Sequence, residues 1–254
     1  MEFTKAIVRT PGKSVINGIT SIDMGNPDYE KAIQQHKAYI AALESCNVEV
    51  TVLSPKEKFP DSCFVEDTAL ITPRCTIITN PGAHSRKGEE KEIRELLEND
   101  KRPIEDIVPP ATIEGGDIMM VGSTYYVGIS QRTNPQGADR LIAILNKYNY
   151  KGVKVSLAAM LHLKTGLSYL ENNNLLISGE FVDNHLFNSF NKIVVEEEEA
   201  YAANAIWVNG KVLIPAGFPI TKNKIESLGY PTIPVEMSEF QKIDGGLSCL
   251  SLRY

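Results

Sequence analysis

The hydrophobic and polar positions of this chain repeat one arrangement, in which a helix is followed by a strand, a loop and a hairpin. In the first copy Asn26-Pro27 predicts a helix start, with Asn26 as N-cap and Pro27 at the first helical position. Apolar residues then recur at helical spacing as far as about Ser45. The rest of this copy is a strand at 47–53, a loop at 54–62 and a hairpin that joins 63–71 to 75–79.

The same order of elements is predicted in the remaining copies. Their helices are expected at Glu89–Asn99, from Asn134-Pro135 onward, in weak form around Asn184–Phe190, and at Lys222–Leu228 with Gly229 as the C-terminal cap. Single strands are expected at Ile104–Val108, Val153–Leu157 and Thr232–Val235, and hairpins at 116–128, 167–177 and 205–214. Asn209-Gly210 is the strongest turn signal, because this dipeptide is typical of a type I′ hairpin.

Five copies in 254 residues correspond to roughly 51 residues each, a period that indicates a repeat architecture. The fifth copy lacks one hairpin strand, and the N-terminal strand Lys5–Arg9 is available to supply it. That pairing would close the units into a ring with few open sheet edges. We therefore expect one α/β domain over residues 1–254, with a plain α/β sheet of two lobes as the alternative.

The last thirteen residues, 242–254, contain the first candidate for chemistry. Gly245-Gly246 interrupts the preceding segment, and residues 247–254 alternate with a period near two, which predicts a short strand carrying Cys249. A thiol beside a glycine pair can act as a nucleophile if a base lies nearby. Because a lone cysteine is more often a small apolar residue of the interior, Cys249 needs partners from elsewhere in the chain.

Composition narrows the class of protein. The chain is 43% hydrophobic and 23% charged, as in ordinary globular proteins, and its net charge of −6 argues against general binding of nucleic acids. The N-terminus lacks the apolar core of a signal peptide, and no apolar run approaches the ~20 residues of a membrane span. Four cysteines without a CxxC pair suggest neither a disulfide framework nor a zinc site. We therefore expect a cytoplasmic protein that binds neither nucleic acid nor membrane.

Equivalent positions in a ring of repeats converge on its axis, and polar residues recur at the start of the predicted hairpins. They are Asp61, Glu66, Asp67, Glu114, Asp117 and His162, with Cys249 in the fifth copy. Each has a plain structural explanation as a cap, a turn residue or a buried histidine, and only their combination favours a site. Several carboxylates would raise the pKa of a nearby thiol but suit a cationic substrate, and a guanidinium matches carboxylate geometry best.

Four motifs in this order resemble dimethylarginine dimethylaminohydrolase, a family of the guanidino-modifying superfamily that includes arginine deiminases and amidinotransferases. They are Phe59-Pro-Asp-Ser-Cys-Phe-Val-Glu-Asp67, Glu114-Gly-Gly-Asp-Ile118, His162-Leu-Lys-Thr-Gly166 and Asp244-Gly-Gly-Leu-Ser-Cys249. The resemblance runs from the N-terminal strand to Tyr254. It implies a five-bladed α/β propeller (the pentein fold) with pseudo-fivefold repeats around a central cleft. It also implies hydrolysis of Nω-methylated arginines, as small-molecule guanidino amino acid substrates, without a metal or organic cofactor.

The resemblance further implies a role for individual residues. Cys249 matches the nucleophile, His162 the general acid and base, and Glu114 the residue that orients His162. The implied substrate contacts are Asp61, Glu66 and Asp67 around the guanidinium, Arg86 and Arg132 at the α-carboxylate, and the backbone carbonyls of Ile19 and Ile243 at the α-amino group. Ile19 departs from the leucine common in the family, though a backbone contact should survive the change. Cys63 stands where an apolar residue is usual, and it is either a second reactive thiol or a packing residue.

The implied mechanism is attack of Cys249 on the guanidinium carbon, release of dimethylamine, and hydrolysis of a covalent thiouronium adduct to citrulline. Two other functions stay open: a deiminase-like hydrolase acting on arginine or another guanidine, and a non-catalytic propeller that serves as a binding module. Arg86 and Arg132 argue against agmatine, which has no carboxylate, and the length argues against arginine deiminases with an added helical domain. A homodimer is compatible with the sequence, which defines neither the oligomeric state nor the resting protonation state of Cys249.

Overall fold

The computed structural model describes residues 2–254, so Met1, the first residue of the predicted domain, lies outside the described residues. Short strands and helices alternate along the chain. In chain order they are β1 Lys5–Arg9, α1 Tyr29–Glu44, β2 Glu49–Leu53, β3 Ala69–Ile71, β4 Thr76–Ile78, α2 Glu90–Leu97, β5 Ile104–Asp106, β6 Ile118–Val121, β7 Thr124–Ile129, α3 Pro135–Lys147, β8 Lys151–Ser156, α4 Leu163–Gly166, β9 Leu167–Tyr169, β10 Asn174–Ile177, β11 Asn191–Val194, β12 Ile206–Val208, β13 Lys211–Pro215, α5 Pro219–Ser227, β14 Thr232–Val235, α6 Ser238–Gln241 and β15 Leu252–Arg253.

The strands form five three-stranded sheets of one topology. In each sheet an antiparallel pair is extended by a third strand that runs parallel to the middle one. Four sheets take consecutive strands, β3-β4-β5, β6-β7-β8, β9-β10-β11 and β12-β13-β14. In the fifth, β15 pairs antiparallel with β1, with Ile7 opposite Leu252, and β2 lies on the other side of β1. The predicted closure by the N-terminal strand is confirmed, and the fold is the five-unit α/β propeller.

Five hydrophobic clusters lie between neighbouring sheets and complete the ring. Val8 of β1 packs in one cluster with Leu213 of β13, while Ile7 of the same strand packs in another with Ile78 of β4. The other three clusters join the first sheet to the second, the second to the third and the third to the fourth in the same way. The middle strands are the most buried, because they face a cluster on each side, and the third strands are the most exposed.

Two predicted helix starts have different outcomes. The Asn134 side chain accepts the Gly137 N–H and Pro135 opens α3, as predicted, an arrangement that contributes about 1 kcal/mol to helix stability. In α1, however, the N-cap is Asp28 and not Asn26, because the Asp28 carboxylate accepts the Lys31 N–H. The helix therefore begins at Tyr29, two residues later than the Asn-Pro signal indicated.

Other boundaries also differ from the prediction. Helix α5 begins at Pro219 and not at Lys222, since a proline is well placed at the first helical position. Around Asn184 there is only a short 3-10 turn, His185–Phe187, and β11 follows it without having been predicted. Among the described helices, none combines the length and apolar character that crossing a membrane requires.

The predicted strand at Cys249 is the largest correction. Residues Ser248–Leu250 form a 3-10 turn, and extended backbone pairs with β1 only at Leu252–Arg253. The Cys249 N–H donates to the Gly246 carbonyl at 3.2 Å, so it belongs to a turn and not to a sheet ladder. The alternation over 247–254 thus results from a turn followed by a two-residue strand.

Candidate active site

A short helical segment precedes the first strand of every sheet. These segments are Val65–Thr68 before β3, Gly115–Asp117 before β6, α4 before β9, Glu197–Ala203 before β12 and Ser248–Leu250 before β15. The predicted site residues Glu66, Asp67 and Cys249 lie in these segments, and Glu114 and His162 lie directly before two of them. Because the five sheets form a ring, these equivalent segments all face its axis. The convergence that the repeat predicted is therefore present in the structure.

Nine of the ten predicted site residues line one cavity, and the tenth lines another. The nine are Ile19, Asp61, Asp67, Arg86, Glu114, Arg132, His162, Ile243 and Cys249. Glu66 lies against a separate cavity together with Lys164 and Arg253. The structure thus assembles the predicted acid, base, nucleophile and cations, and it sets Glu66 apart from them.

His162 and Glu114 form the acid–base pair of the cavity. The His162 Nε2 lies 2.9 Å from Glu114 Oε2, and Glu114 is fully buried, with Oε1 accepting the backbone N–H groups of Gly82 at 3.0 Å and Ala83 at 3.1 Å. Burial by itself would lower the pKa of His162, but the bond to Glu114 and the nearby Asp117 and Asp67 carboxylates raise it to about 9. At neutral pH His162 is therefore an imidazolium that can donate a proton.

The Cys249 thiol lies in a turn at the same cavity and is protonated at rest. Burial, together with the charges of Glu66 and Asp67, raises its pKa to about 12. The polar contacts of Sγ are weak: the Gly246 N–H lies 3.5 Å from it and the Ser248 hydroxyl 4.0 Å. The resting site therefore contains a neutral thiol and an imidazolium, so formation of the thiolate needs a change from the resting protein.

Asp67 and Arg86 form a buried ion pair beside the histidine. Asp67 accepts the Gly116 N–H at 2.8 Å on one oxygen and Arg86 on the other. Burial alone would raise the pKa of Asp67, but Arg86 and His162 outweigh it and the pKa is lowered. Arg86 also binds Glu89 through Nε and Nη2 and the Phe64 carbonyl through Nη2. Its guanidinium is therefore engaged within the protein, whereas Asp67 keeps its charge.

The wall formed by Ile19, Asp61 and Ile243 is a contact between three loops. The Ile19 N–H donates to Asp61 Oδ1 at 2.9 Å. A Cβ at Gly18 would lie 3.0 Å from the Ile243 side chain and 3.2 Å from Asp61, so this glycine allows its own loop to approach the other two closely. Arg132 is the less engaged cation of the cavity, because its ion-pair contact is with Glu114 at 3.7 Å and its side chain is partly exposed.

Glu66 is bound by two cations that line the same separate cavity. One oxygen pairs with Lys164 and, at 3.5 Å, with Arg253, while the buried second oxygen has no hydrogen-bond partner among the described residues. The charge of Glu66 still contributes to the raised pKa of Cys249. The contact of Glu66 with a substrate guanidinium stays a prediction.

Asp67, Glu114 and His162 also form a group whose ligand atoms lie within 4.8 Å of one another, which is close enough to hold a metal ion. Metal binding requires a neutral imidazole, however, and the neighbouring carboxylates keep His162 protonated to about pH 9. Oxygens of Asp67 and Glu114 are already bound to Arg86 and to backbone N–H groups. This arrangement fits proton transfer better than metal ligation.

Three further residues bear on the site, of which Asp117 and Cys63 were noted in the sequence and Asn204 was not. Asp117 is buried, and its oxygens accept the Leu163 N–H at 2.9 Å and the Ser130 hydroxyl at 2.7 Å, so it ties the histidine segment to the loop before Arg132. Asn204 holds the cysteine turn by accepting the Ser248 N–H at 3.0 Å. Cys63 is fully buried, and burial raises the pKa of its thiol, which favours the packing role over the reactive one.

The chain is similar to known proteins over its whole length. Residues 23–246 match the protein family described as N,N dimethylarginine dimethylhydrolase, eukaryotic. The N(G),N(G)-dimethylarginine dimethylaminohydrolase of Pseudomonas aeruginosa is 54% identical, covering 99% of this chain and 100% of the relative. The protein of the same name from Streptomyces coelicolor is 30% identical, covering 100% and 98%. A solved structure of DDAH from Pseudomonas aeruginosa, the C249S mutant complexed with citrulline, superposes with a TM-score of 0.99 over 100% of both chains at 54% identity.

Proposed function

The chain belongs to the dimethylarginine dimethylaminohydrolase family, and from that premise we propose that it hydrolyses Nω,Nω-dimethyl-L-arginine and Nω-methyl-L-arginine. The products are L-citrulline and dimethylamine or methylamine. The observation that carries the proposal is a neutral Cys249 thiol and a protonated His162 at one cavity that also contains buried carboxylates and a free-standing arginine. Such a site suits a substrate that is cationic at the reacting end and anionic at the other.

The acidic residues hold the guanidinium. Asp67 stays ionised at neutral pH, and a carboxylate pairs with the planar N–H groups of a guanidinium through charge-assisted hydrogen bonds. The Asp61 carboxyl and the carbonyls of Ile19 and Ile243 bind the remaining N–H donors of the amino acid. Arg132 meets the α-carboxylate, since its side chain is partly exposed and lacks a short ion-pair contact among the described residues. Arg86 adds its positive charge at the same end, and through its ion pair it also orients Asp67 at the guanidinium end.

The arriving cation generates the nucleophile. A positive charge close to Sγ favours the thiolate, so the thiol that resists ionisation in the free protein releases its proton to solvent as the substrate binds. The thiolate attacks the guanidinium carbon and forms a C–S bond. The C–N bond to dimethylamine then breaks, and the His162 imidazolium gives its proton to the departing nitrogen.

Hydrolysis of the thiouronium adduct restores the protein. His162, now neutral, takes a proton from water, whose oxygen attacks the same carbon. The C–S bond breaks, citrulline is released and the sulfur recovers a proton. Glu114 keeps the histidine ring in place throughout, because its second oxygen is anchored by two backbone N–H groups. The citrulline complex of the similar Pseudomonas protein supports citrulline as the product here.

The first experiment is citrulline formation from asymmetric dimethylarginine and, in parallel, from arginine. We expect turnover of the methylated substrate, its loss in Cys249→Ser, and its retention in Cys63→Ala, the matched control at a buried cysteine. Turnover of arginine alone would move the protein to a deiminase-like function on the same mechanism. Failure with both substrates, in protein that is folded by circular dichroism, would contradict the proposal.

The proposal also covers the domain organisation, the cellular location, the kind of partner and the oligomeric state. We infer a single domain over residues 1–254, supported by the closed ring of five sheets, and a cytoplasmic location, supported by four free cysteines that a reducing compartment would preserve. The net charge of −6 supports a small-molecule partner over nucleic acid. The homodimer is testable by light scattering, in which a mass near 28.1 kDa would exclude it.

A further inference from the structure

A second and wider cavity opens on the other side of the reacting residues. Cys249 and His162 line both cavities, so the two meet where a guanidinium carbon must lie. The wide cavity has a volume of about 360 Å³ and is walled by Met160, Leu161, Thr165, Ala200 and Tyr201, among others. That volume lies within the usual range of small-ligand pockets, about 300–1,000 Å³. It exceeds what two methyl groups need.

The charges of the two cavities decide which end of a substrate enters each. The cavity lined by the nine predicted site residues contains Arg132, the cation proposed to bind the α-carboxylate, together with the buried acids. In the wide cavity Lys164 is already paired with Glu66, while Asp244, which lines both cavities, accepts the Ser21 N–H at 2.6 Å. The amino-acid end therefore lies on the Arg132 side. The terminal guanidino nitrogen then points across Cys249 into the wide cavity.

We propose that the protein also hydrolyses L-arginines that carry larger single alkyl groups on the terminal nitrogen, such as Nω-propyl-L-arginine and Nω-butyl-L-arginine, and that the wide cavity holds the alkyl group. The proposal rests on the function proposed above. Met160, Leu161 and the Tyr201 ring offer apolar contacts, and burial of each added methylene raises kcat/KM by up to about fourfold until the chain reaches solvent.

The chemistry needs no further reactant. The Cys249 thiolate forms the C–S bond, the bond from the guanidinium carbon to the alkyl-bearing nitrogen breaks, and His162 protonates that nitrogen. A primary alkylamine leaves. Water then hydrolyses the adduct, which is the same for every substituent, to citrulline. Only the departing group differs between substrates, so the second half-reaction proceeds at one rate throughout the series.

The test is a series of Nω-methyl-, ethyl-, propyl- and butyl-L-arginine, with citrulline and the alkylamine both quantified. We expect kcat/KM for the propyl compound to be within about tenfold of that for the methyl compound. Turnover of dimethylarginine combined with no turnover of the propyl and butyl compounds would overturn this inference and leave the proposed function intact. Absence of turnover with dimethylarginine itself would overturn both.

Wall variants locate the alkyl group. Ala200→Trp should lower kcat/KM for the propyl compound roughly tenfold more than for the methyl compound. Ala159→Trp, at an exposed position of the same wall, is the second variant in case Ala200→Trp does not fold. Ala143→Trp, exposed on α3, is the matched control and should leave the ratio unchanged. An unchanged ratio in a folded wall variant would place the alkyl group elsewhere and refute the assignment.

Discussion

Replacement of Glu114 by glutamine gives the sharpest test of the protonated histidine. In Glu114→Gln the amide oxygen is expected to keep the place of Oε1, because the N–H groups of Gly82 and Ala83 both point at that atom. The amide NH₂ then faces His162 Nε2 at the distance where a carboxylate oxygen now lies, 2.9 Å. Two donors cannot share this contact, so the variant favours the neutral imidazole.

The size of the effect follows from the lost interaction. A hydrogen bond to a charged group contributes about 1.5–3 kcal/mol, and one pKa unit corresponds to about 1.4 kcal/mol. The pKa of His162 should therefore fall by about 1–2 units from its value of about 9. His162 must be protonated to release the amine, so activity is retained below the pKa and lost above it. The ratio of variant to wild-type kcat/KM should drop by about 5- to 50-fold between pH 6.5 and pH 9.

The ratio is the quantity to measure, since ionisation of the thiol changes with pH in both proteins and cancels. Dimethylarginine turnover between pH 6 and pH 9.5 supplies it, and the NMR shift of the His162 ring proton reports the pKa directly. Glu199→Gln is the matched control, because Glu199 is also buried and also accepts two backbone N–H groups, from Ile220 and Thr221. A ratio that does not change with pH, or an unshifted histidine titration, would refute the reasoning.

Three further outcomes are expected. Asp117→Asn should lower the free energy of unfolding by about 1–3 kcal/mol, because the charged hydrogen bonds of a buried carboxylate are lost, and it should also lower the pKa of His162. An unchanged midpoint in urea titrations would contradict this expectation. Alkylation of Cys249 by neutral iodoacetamide, followed by mass spectrometry, should accelerate about tenfold per pH unit from pH 7 to pH 10, and a plateau in that range would contradict a thiol pKa of about 12. Arg86→Gln should lower the free energy of unfolding by about 3–5 kcal/mol, since it leaves Asp67 buried without its partner, whereas Arg132→Gln should mainly raise KM. If thermal melts and kinetics show instead that Arg132→Gln destabilises the protein and Arg86→Gln mainly raises KM, the division of roles is wrong.

The overall fold was predictable because the repeat is visible in local patterns. Hairpins with strong turn residues, such as Asn209-Gly210, recur with a constant order of neighbours, and the fifth unit is complete only if the first strand joins it. The pattern missed two features. The Asp28 carboxylate accepts a backbone N–H and so moves the start of α1. Strand β11 follows a series of short turns, in which the backbone hydrogen bonds join residues close together in the sequence.

The sequence predicted which residues line the site better than it predicted which of them bind one another. Nine residues share one cavity because equivalent loops of a ring meet at its axis. Sequence could not indicate that Lys164 and Arg253 would bind Glu66, since they lie 98 and 187 positions away, or that Arg86 would be engaged by Asp67 and Glu89. Asn204 lies two residues before β12 in the fourth unit, the position that Asp67 has before β3 in the first sheet, so alignment of the five repeats would have identified it.

Closure of the ring also positions Cys249, the proposed nucleophile. Cys249 lies three residues before β15, which pairs with β1, and the Ser251 hydroxyl between them contacts the buried Tyr39 hydroxyl at 2.6 Å and Arg253 at 2.7 Å. The turn that presents the thiol is therefore fixed by the N-terminal strand and by α1. Because burial and the charges of Glu66 and Asp67 keep this thiol protonated, its rigid placement brings no unwanted reactivity. The fold thus sets the geometry, and the proposed mechanism leaves activation to the substrate.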